Sequence, residues 1–472
     1  MSDARIHHDG RRRLPFLTNS VMGIKTRLSI LTFLQFAVWG CYLVSLGQYL
    51  GAAGLGSGIP WFYAAGGFAA LFAPALMGAV ADRFVPAQRL LGLCHAVAAV
   101  MMMLTWHYGY THPHPRFAVI FTLFALSELF FIPTVALCNS VSFALLKSRG
   151  LDPVRAFPLI RVWGTVGFVA AMWTVNSIWT DGSAVGFTLS ESSPHAMQRF
   201  QYTVMQLFAA GVTGVVTAVY AACLPEVTVC RRNTISGDWR TWPVVGSLRL
   251  LGDARLLPFF LFSMLIGVAL QINNGYVAPF LTHFRGMPEF AGTFGASNAT
   301  LLSSLSQISE ALWILPVGCV LARAGVKRTV AMAIFAWVAN FALFAMGDTG
   351  RGIWLIVGAM LVYGVAFDFF NVAGALFIDR QAPASDRSAA QGLLMMMTKG
   401  VGASVGMIVA GWVVNRFCRW EISADGQRYF MGDWSTVWWI FAGYCMLVLV
   451  AFVVCFRISG SDRNCRTYAE IP

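Results

Sequence analysis

Five ionisable side chains, Glu128, Arg161, Glu310, Asp368 and Lys399, fall inside runs that are otherwise aliphatic, aromatic and glycine, as in the stretch LVYGVAFDFFN from Leu361 to Asn371. A charge at the centre of an apolar helix costs about 2.5 to 3.5 kcal/mol on the mildest insertion scales, so each of these groups reads as functional by default. Three acids face two bases. If both cations find carboxylate partners, one acid is left over in a low-dielectric interior, and its affinity for a proton changes as it is exposed to one side or the other. That is the chemistry of proton coupling. The competing reading is a structural ion pair that never titrates, with Asp368 and Lys399 as its partners.

Uncharged polar and aromatic residues fall in the same runs. Gln271 and Asn274 in LIGVALQINNGYVAPF are three apart and share a helix face, as do Gln307 and Glu310 in LSQISEALWILP. Arg161, Thr165 and Phe168 in FPLIRVWGTVGF form one stripe at i, i+4 and i+7. Tyr363 and Phe367 are four apart, with Asp368 about 100° round the axis from Phe367. Amides donate and accept, and flat rings stack, so the set suits a neutral, polar, partly aromatic solute. The same residue types also hold transmembrane helices together, and spacing alone does not decide between the two uses.

Membrane spans are the elements that must carry these groups. Of 472 residues, 57% are hydrophobic and 11% charged, with a mean hydropathy of +0.66, which excludes a soluble globular chain. Runs of about twenty apolar residues are long enough to cross the bilayer as helices, and they lack the alternation of a barrel strand. Twelve spans are expected, near residues 27–50, 58–80, 90–110, 117–145, 158–179, 200–223, 256–281, 296–321, 329–347, 352–377, 388–413 and 434–456. The basic N-terminus precedes a run too long for a cleaved signal segment, so that run is retained as the first span. Seven of the ten cysteines lie in apolar runs (Cys41, Cys94, Cys138, Cys223, Cys319, Cys445, Cys455) and read as small buried side chains; no metal-ligand set is expected.

Most of the 33 Lys and Arg fall in the tails and the even-to-odd connections, whereas the opposite side carries only Arg116, Arg199, Arg285, Arg351, Arg416, Arg419 and Arg428. By the positive-inside rule both termini are cytoplasmic, and the net charge of +12 reports topology and not a nucleic-acid partner. The expected organisation is a cytoplasmic tail over 1–26, a six-helix bundle over 27–223, a cytoplasmic connection over 224–255, a second six-helix bundle over 256–457 and a tail over 458–472. At 1.5 Å per residue Glu128, Glu310 and Lys399 come out close to mid-span and Asp368 about 5 Å toward the cytoplasm. Arg161 is placed a few residues from the cytoplasmic end, where it could snorkel.

GAVADRFVPAQR after span two, with a degraded counterpart LARAGVKR after span eight, resembles the cytoplasmic-loop signature of the major facilitator superfamily, with Gly78, Asp82, Arg83 and Arg89 at the marked positions. Asp82 at the C-terminal end of its helix needs cations or another helix N-terminus nearby, and such a contact can latch the two bundles in one state; the plainer reading is an ordinary charged turn. Across residues 22–457 the chain is similar to bacterial nucleoside:proton symporters of that superfamily, through LSILTFLQFAVWG, PALMGAVADRF, PLIRVWGTVGF, LQINN, SQISEALWIL, YGVAFDFFN and STVWWIFAGY. The resemblance implies an all-α fold of twelve transmembrane helices in two six-helix bundles. It also implies a nucleoside pocket built from Arg161, Thr165, Phe168, Gln271, Asn274, Gln307, Glu310, Tyr363 and Phe367, with Asp368 and Glu310 coupling to protons. Lys399 in MMMTKGVGAS and Glu128 in LSELFFIPT depart from the family pattern, which leaves pyrimidine, purine or an altered ligand open.

The expected activity is proton-coupled nucleoside uptake through the inner membrane by alternating access; a sugar or nucleobase carrier of the same superfamily, or an uncoupled facilitator, is the alternative. The expected partners are the nucleoside, the proton and the lipid bilayer, with no cofactor beyond the proton as coupling ion, and the chain is expected to be a monomer. A membrane enzyme lacks support, since no nucleophile motif or phosphate-binding glycine loop occurs, and a nutrient receptor would carry a longer signalling segment.

Overall fold

A computed structural model describes residues 21–190, 193–225, 248–253, 255–382, 387–423 and 426–456. The expected N-terminal tail lies outside these residues except for 21–26, which already belong to the first helix. Most of the expected 224–255 connection and the whole of the 458–472 tail also lie outside them.

The first half contains α1 (Val21–Gly40), α2 (Leu46–Ala52), α3 (Ile59–Arg83), α4 (Ala87–Thr111), α5 (Phe117–Lys147), α6 (Pro153–Ser177) and α7 (Met205–Ala222). In the second are α8 (Leu257–His283), α9 (Phe294–Ser297), α10 (Ala299–Trp313), α11 (Val317–Met346), α12 (Ile353–Gln381), α13 (Arg387–Met395), α14 (Ala403–Phe417) and α15 (Trp434–Cys455). Among the described residues ten helices are long and apolar enough to cross a membrane. The first and eighth expected spans are the two that fall short. The first carries Lys25, Arg27 and Gln35 and is interrupted by a turn at Cys41–Ser45 between α1 and α2. The eighth is divided at Ile314–Pro316, and its first part, α10, is rich in serine. Gly325 then separates the eighth pass from the ninth inside α11: with φ 75° and ψ 167° it holds a left-handed conformation that side chains rarely adopt.

Two short antiparallel hairpins, unforeseen in an all-α expectation, close off loops on one face. In the first, β1 (Ile178–Thr180) pairs with β2 (Val185–Phe187), and in the second β3 (Cys418–Ile422) pairs with β4 (Arg428–Gly432). Here they define the hairpin face. Asp433 follows β4 and caps α15, its carboxylate accepting from Thr436 N at 2.9 Å and from the Thr436 hydroxyl. Those bonds, the side-chain one foremost, hold the Asp433 carboxyl below the ordinary aspartate range. Its contribution is therefore complete above that range and is lost as pH falls through the depressed value. Asp433→Ala is expected to cost about 1 kcal/mol at neutral pH and progressively less in acid, read as the difference in thermal midpoint from the wild type in detergent.

The bundle interiors are apolar and aromatic. In the second half Phe280, Phe341, Phe344, Trp434 and Trp438 form one continuous set of ring contacts. Cys41, Cys94, Cys138 and Cys445 are buried as expected for small apolar side chains, but Cys223, Cys319 and Cys455 are exposed, near helix ends, which corrects that expectation for three of the seven.

The bundles meet along the hairpin face. Gln48 Nε2 donates to Thr282 Oγ1 at 2.8 Å and Trp173 Nε1 to Ser304 Oγ at 2.8 Å. Arg199 is fully buried and donates to Asn298 Oδ1 and to the Ser297 carbonyl, both at 2.7 Å. Asn176 Nδ2 also donates to Asn298 Oδ1 at 2.9 Å, and Tyr202 Oη to the Ser297 carbonyl at 2.8 Å. Deeper, Ser404 Oγ reaches the Ala64 carbonyl at 3.3 Å and Gln271 Nε2 the Tyr63 carbonyl at 3.4 Å.

Candidate substrate and proton site

On α8, from Gln271 to His283, only Gln271 and Asn274 are not buried. These two amides are the half-buried side chains of that stretch, and Asn274 Nδ2 donates to Gln271 Oε1 at 3.2 Å. Facing them, α10 leaves Gln307 and Glu310 half-exposed while Ser303, Ser304, Ser306 and Ser309 are buried against neighbouring helices. The two pairs expected from a spacing of three are thus the half-exposed polar positions of their helices. On α12 the Tyr363 and Phe367 rings stack, centroids 5.9 Å apart and planes 8° from parallel, and Trp337 meets Tyr363 edge-on at 5.6 Å. Tyr363 lies beside Gln307, Glu310 and Asp368.

The first half contributes through α6. The sequence places Arg161 near an interface, free to snorkel; the structure corrects this. The helix starts at Pro153 instead of near Pro158, so Arg161 lies about 12 Å along it. Its guanidinium lies over the Phe36 ring at 3.9 Å from the centroid, within electrostatic reach of Glu310 and Asp368. Thr165 is half-buried one turn further on, and Phe168 is buried with Phe36, Val44, Met172 and Ala278 of α8.

Lys399 is half-buried in a π-helical segment, Met396–Gly402, that joins α13 to α14. Such bulges recur at functional sites. This one is pressed against α8: a Cβ on Gly267 would lie 2.2 Å from the Thr398 carbonyl oxygen, and one on Gly402 2.3 Å from that of Met264. Lys399 lines a small open pocket with Leu270, Trp337, Phe367, Asn371 and Thr398. Its charged neighbours are Arg161 and Glu310.

The expected Asp368–Lys399 pair is not formed. Asp368 is 3% exposed, its charged neighbours are Glu310 and Arg161, and its Oδ2 has no hydrogen-bond partner among the described residues. Arg161, Lys399, Glu310 and Asp368 therefore make one group of two cations and two acids. Glu128 stands apart from it, on α5, accepting a short hydrogen bond from the Tyr42 hydroxyl.

Gly78 and Arg83 fall in the last two turns of α3 and Arg89 in the first turn of α4, with open space where a Gly78 side chain would stand. The Asp82 and Arg83 side chains lie outside the described residues.

Phe36 is the site residue that spacing does not reveal. Nothing in LSILTFLQFAVWG separates it from the other aromatics of an apolar run; only the approach of α6 makes it a cation–π platform. Phe36→Leu keeps bulk and removes the ring face, and is expected to weaken ligand binding by about 1 kcal/mol, roughly fivefold in Kd by titration calorimetry.

Residues 22–461 match the model of the nucleoside H+ symporter family. The chain is 37% identical to the nucleoside permease NupG of Escherichia coli K12 and 36% identical to the xanthosine permease of the same organism, in each case over 92% of this chain and 96% of the relative. The solved structure of the nucleoside transporter NupG superposes with a TM-score of 0.75 at 35% identity, covering 93% of this chain and all of that one. A partially occluded, inward-open structure of the xylose transporter XylE from E. coli shares the fold at 11% identity with a TM-score of 0.58. By sequence over most of its length and by fold, the chain belongs to the nucleoside H+ symporter family.

Proposed function

We propose that this multi-pass membrane protein takes up nucleosides in symport with protons by alternating access, as a carrier and not an enzyme. One observation carries the reading: amides, stacked aromatics and a four-charge group converge on half-exposed and buried positions between two bundles, and one buried carboxylate oxygen there, Asp368 Oδ2, lacks a hydrogen-bond partner among the described residues. The nucleoside would lie between Arg161, Thr165 and Phe168 on one side and Gln271, Asn274, Gln307, Glu310, Tyr363 and Phe367 on the other. Asp368 and Glu310 carry the coupling proton, which is the only cofactor, and the working unit is a monomer in the cell inner membrane. Both termini face the cytoplasm, which makes the hairpin face the outer one, and Gly78, Asp82, Arg83 and Arg89 latch the cytoplasmic mouth when it closes. The distribution of Lys and Arg along the chain supports that orientation.

Uptake of labelled nucleoside into proteoliposomes, with and without an inward proton gradient, tests the central step. Accumulation above the external concentration only with the gradient is expected; indifference to the gradient would leave a facilitator. Competition by nucleosides but not sugars is expected in the same assay. Gln271→Ala and Gln307→Ala should each weaken binding by about 1 to 3 kcal/mol, because the polar edge of the solute loses a partner in a site it has already left water to enter. Unchanged affinity in both variants would return these amides to helix adhesion.

A further inference from the structure

Glu128 is the interior acid that the four-charge group leaves over. It is 4% exposed, it makes one hydrogen bond, from Tyr42, and no cation lies within ion-pair distance among the described residues. The other titratable side chains on elements packed around it are engaged elsewhere. Tyr63 on α3 donates to the Leu43 carbonyl at 2.7 Å, His95 on α4 pairs its Nε2 with Gln35 Oε1 at 2.8 Å, and Arg161 on α6 lies over Phe36. The thiols of Cys41, Cys94 and Cys138 are buried in the turn after α1, on α4 and on α5 respectively. Lys25, Arg27 and Arg89 belong to the far ends of their helices.

Its surroundings connect this carboxyl to the moving parts. Tyr42 belongs to the turn that interrupts the first span, and within six residues that segment touches the second bundle twice: a Cβ on Gly47 would lie 2.9 Å from Pro279, and Gln48 bonds to Thr282. Separation of the bundles at the hairpin face must break both contacts and release the segment that holds the phenol. Across α3, a Cβ on Gly66 would lie 3.1 Å from Glu128 Oε2, while one on Gly67 would lie 2.3 Å from Ser404 Oγ of the other bundle. Two glycines are all that separate the acid from the bundle interface. Along its helix Glu128 lies about 17 Å from the hairpin-face end and Asp368 about 23 Å, so Glu128 is nearer the closed mouth than Asp368 and level with Glu310, about 17 Å along α10.

We propose that Glu128, hydrogen-bonded by Tyr42, is a second proton-binding group of the transport cycle, housed in the first bundle and separate from the Asp368–Glu310 cluster. It rests on the proton-coupled uptake proposed above. Opening of the hairpin face frees Tyr42, exposes the carboxyl and lets it exchange its proton; closure restores the bond.

Glu128→Gln mimics a permanently protonated acid. In proteoliposomes it is expected to lower gradient-driven accumulation about tenfold, within the usual range of coupling between linked sites, while substrate counterflow and binding stay near wild type. Glu128→Asp should recover part of the loss, and Tyr42→Phe should displace the pH profile of uptake without abolishing it. A Glu128→Gln variant that accumulates substrate with the wild-type pH profile overturns the proposal, as does one that loses binding and coupling together. Should Glu128→Gln fail to fold, pH-difference infrared spectra of wild type and Tyr42→Phe decide: a titrating carboxyl band that moves on loss of the phenol supports the site, and its absence sinks it. A wild type indifferent to the gradient removes the parent reading and this role with it; a responsive wild type beside an equally responsive Glu128→Gln removes Glu128 alone.

Discussion

Asp368→Asn is expected to abolish gradient-driven accumulation while leaving nucleoside binding and counterflow within a few-fold of wild type. Each proton carried across a two-unit pH gradient can sustain about a hundredfold accumulation, since each unit is worth about 1.4 kcal/mol, so the variant should fall from that order to equilibration. The side chain is replaced by one of nearly equal volume in a buried position, which argues against loss of fold. The change that matters is electrical. A proton arriving at Asp368 alters the balance of two cations and two acids shared with Arg161, Glu310 and Lys399, and the amide fixes that balance in one state. Only a ligand with different affinity for two conformations can drive one into the other, and a group that cannot change charge supplies no such difference. Measured accumulation equal to wild type would make Asp368 a structural member of the group.

Much of this site is legible in the order of the amino acids alone. Gln271 with Asn274 and Gln307 with Glu310 declare their faces because a helix has one period and these residues are anomalous on it. What fails is whatever depends on where a helix begins or breaks. Arg161 is misplaced toward the interface because Pro158 resembles a helix start, whereas Pro153 occupies that position and Pro158 is accommodated one turn later. The turn at Cys41–Ser45 carries no glycine or proline to announce it, and the π-helical segment around Lys399 is one residue of surplus winding that no pattern displays. Counting charges correctly finds one acid too many; only the fold shows that it is Glu128, which stands apart from both cations while Glu310 and Asp368 share a group with Arg161 and Lys399.

The contacts that seal the hairpin face lead to the second large effect. Arg199 is a buried cation that ties the α6–α7 loop to Ser297 and Asn298 of the opposite half, and hydrogen bonds to a charged group are each worth about 1.5 to 3 kcal/mol. Arg199→Ala removes both short bonds and leaves the Ser297 carbonyl to Tyr202 and Gln201 alone. These bonds exist only while the two halves are together, so their loss weakens the closed arrangement; the bonds of Arg199 to the Ala196 and Asn176 carbonyls of its own half go with them. A loss of about 3 kcal/mol moves the ratio of closed to open states by roughly a hundredfold. Spin labels on either side of that mouth should therefore report a longer distance in the variant without substrate, and transport should slow because the cycle must return through the destabilised state. Asn298→Ala, which removes the acceptor shared by Arg199 and Asn176, should move the same distance in the same direction. An unchanged distance distribution in both variants would mean that the apolar packing of Pro279 on Gly47, and of the Trp420 ring of β3 on Gly51 and Gly56, closes this mouth unaided, with the arginine network merely filling it.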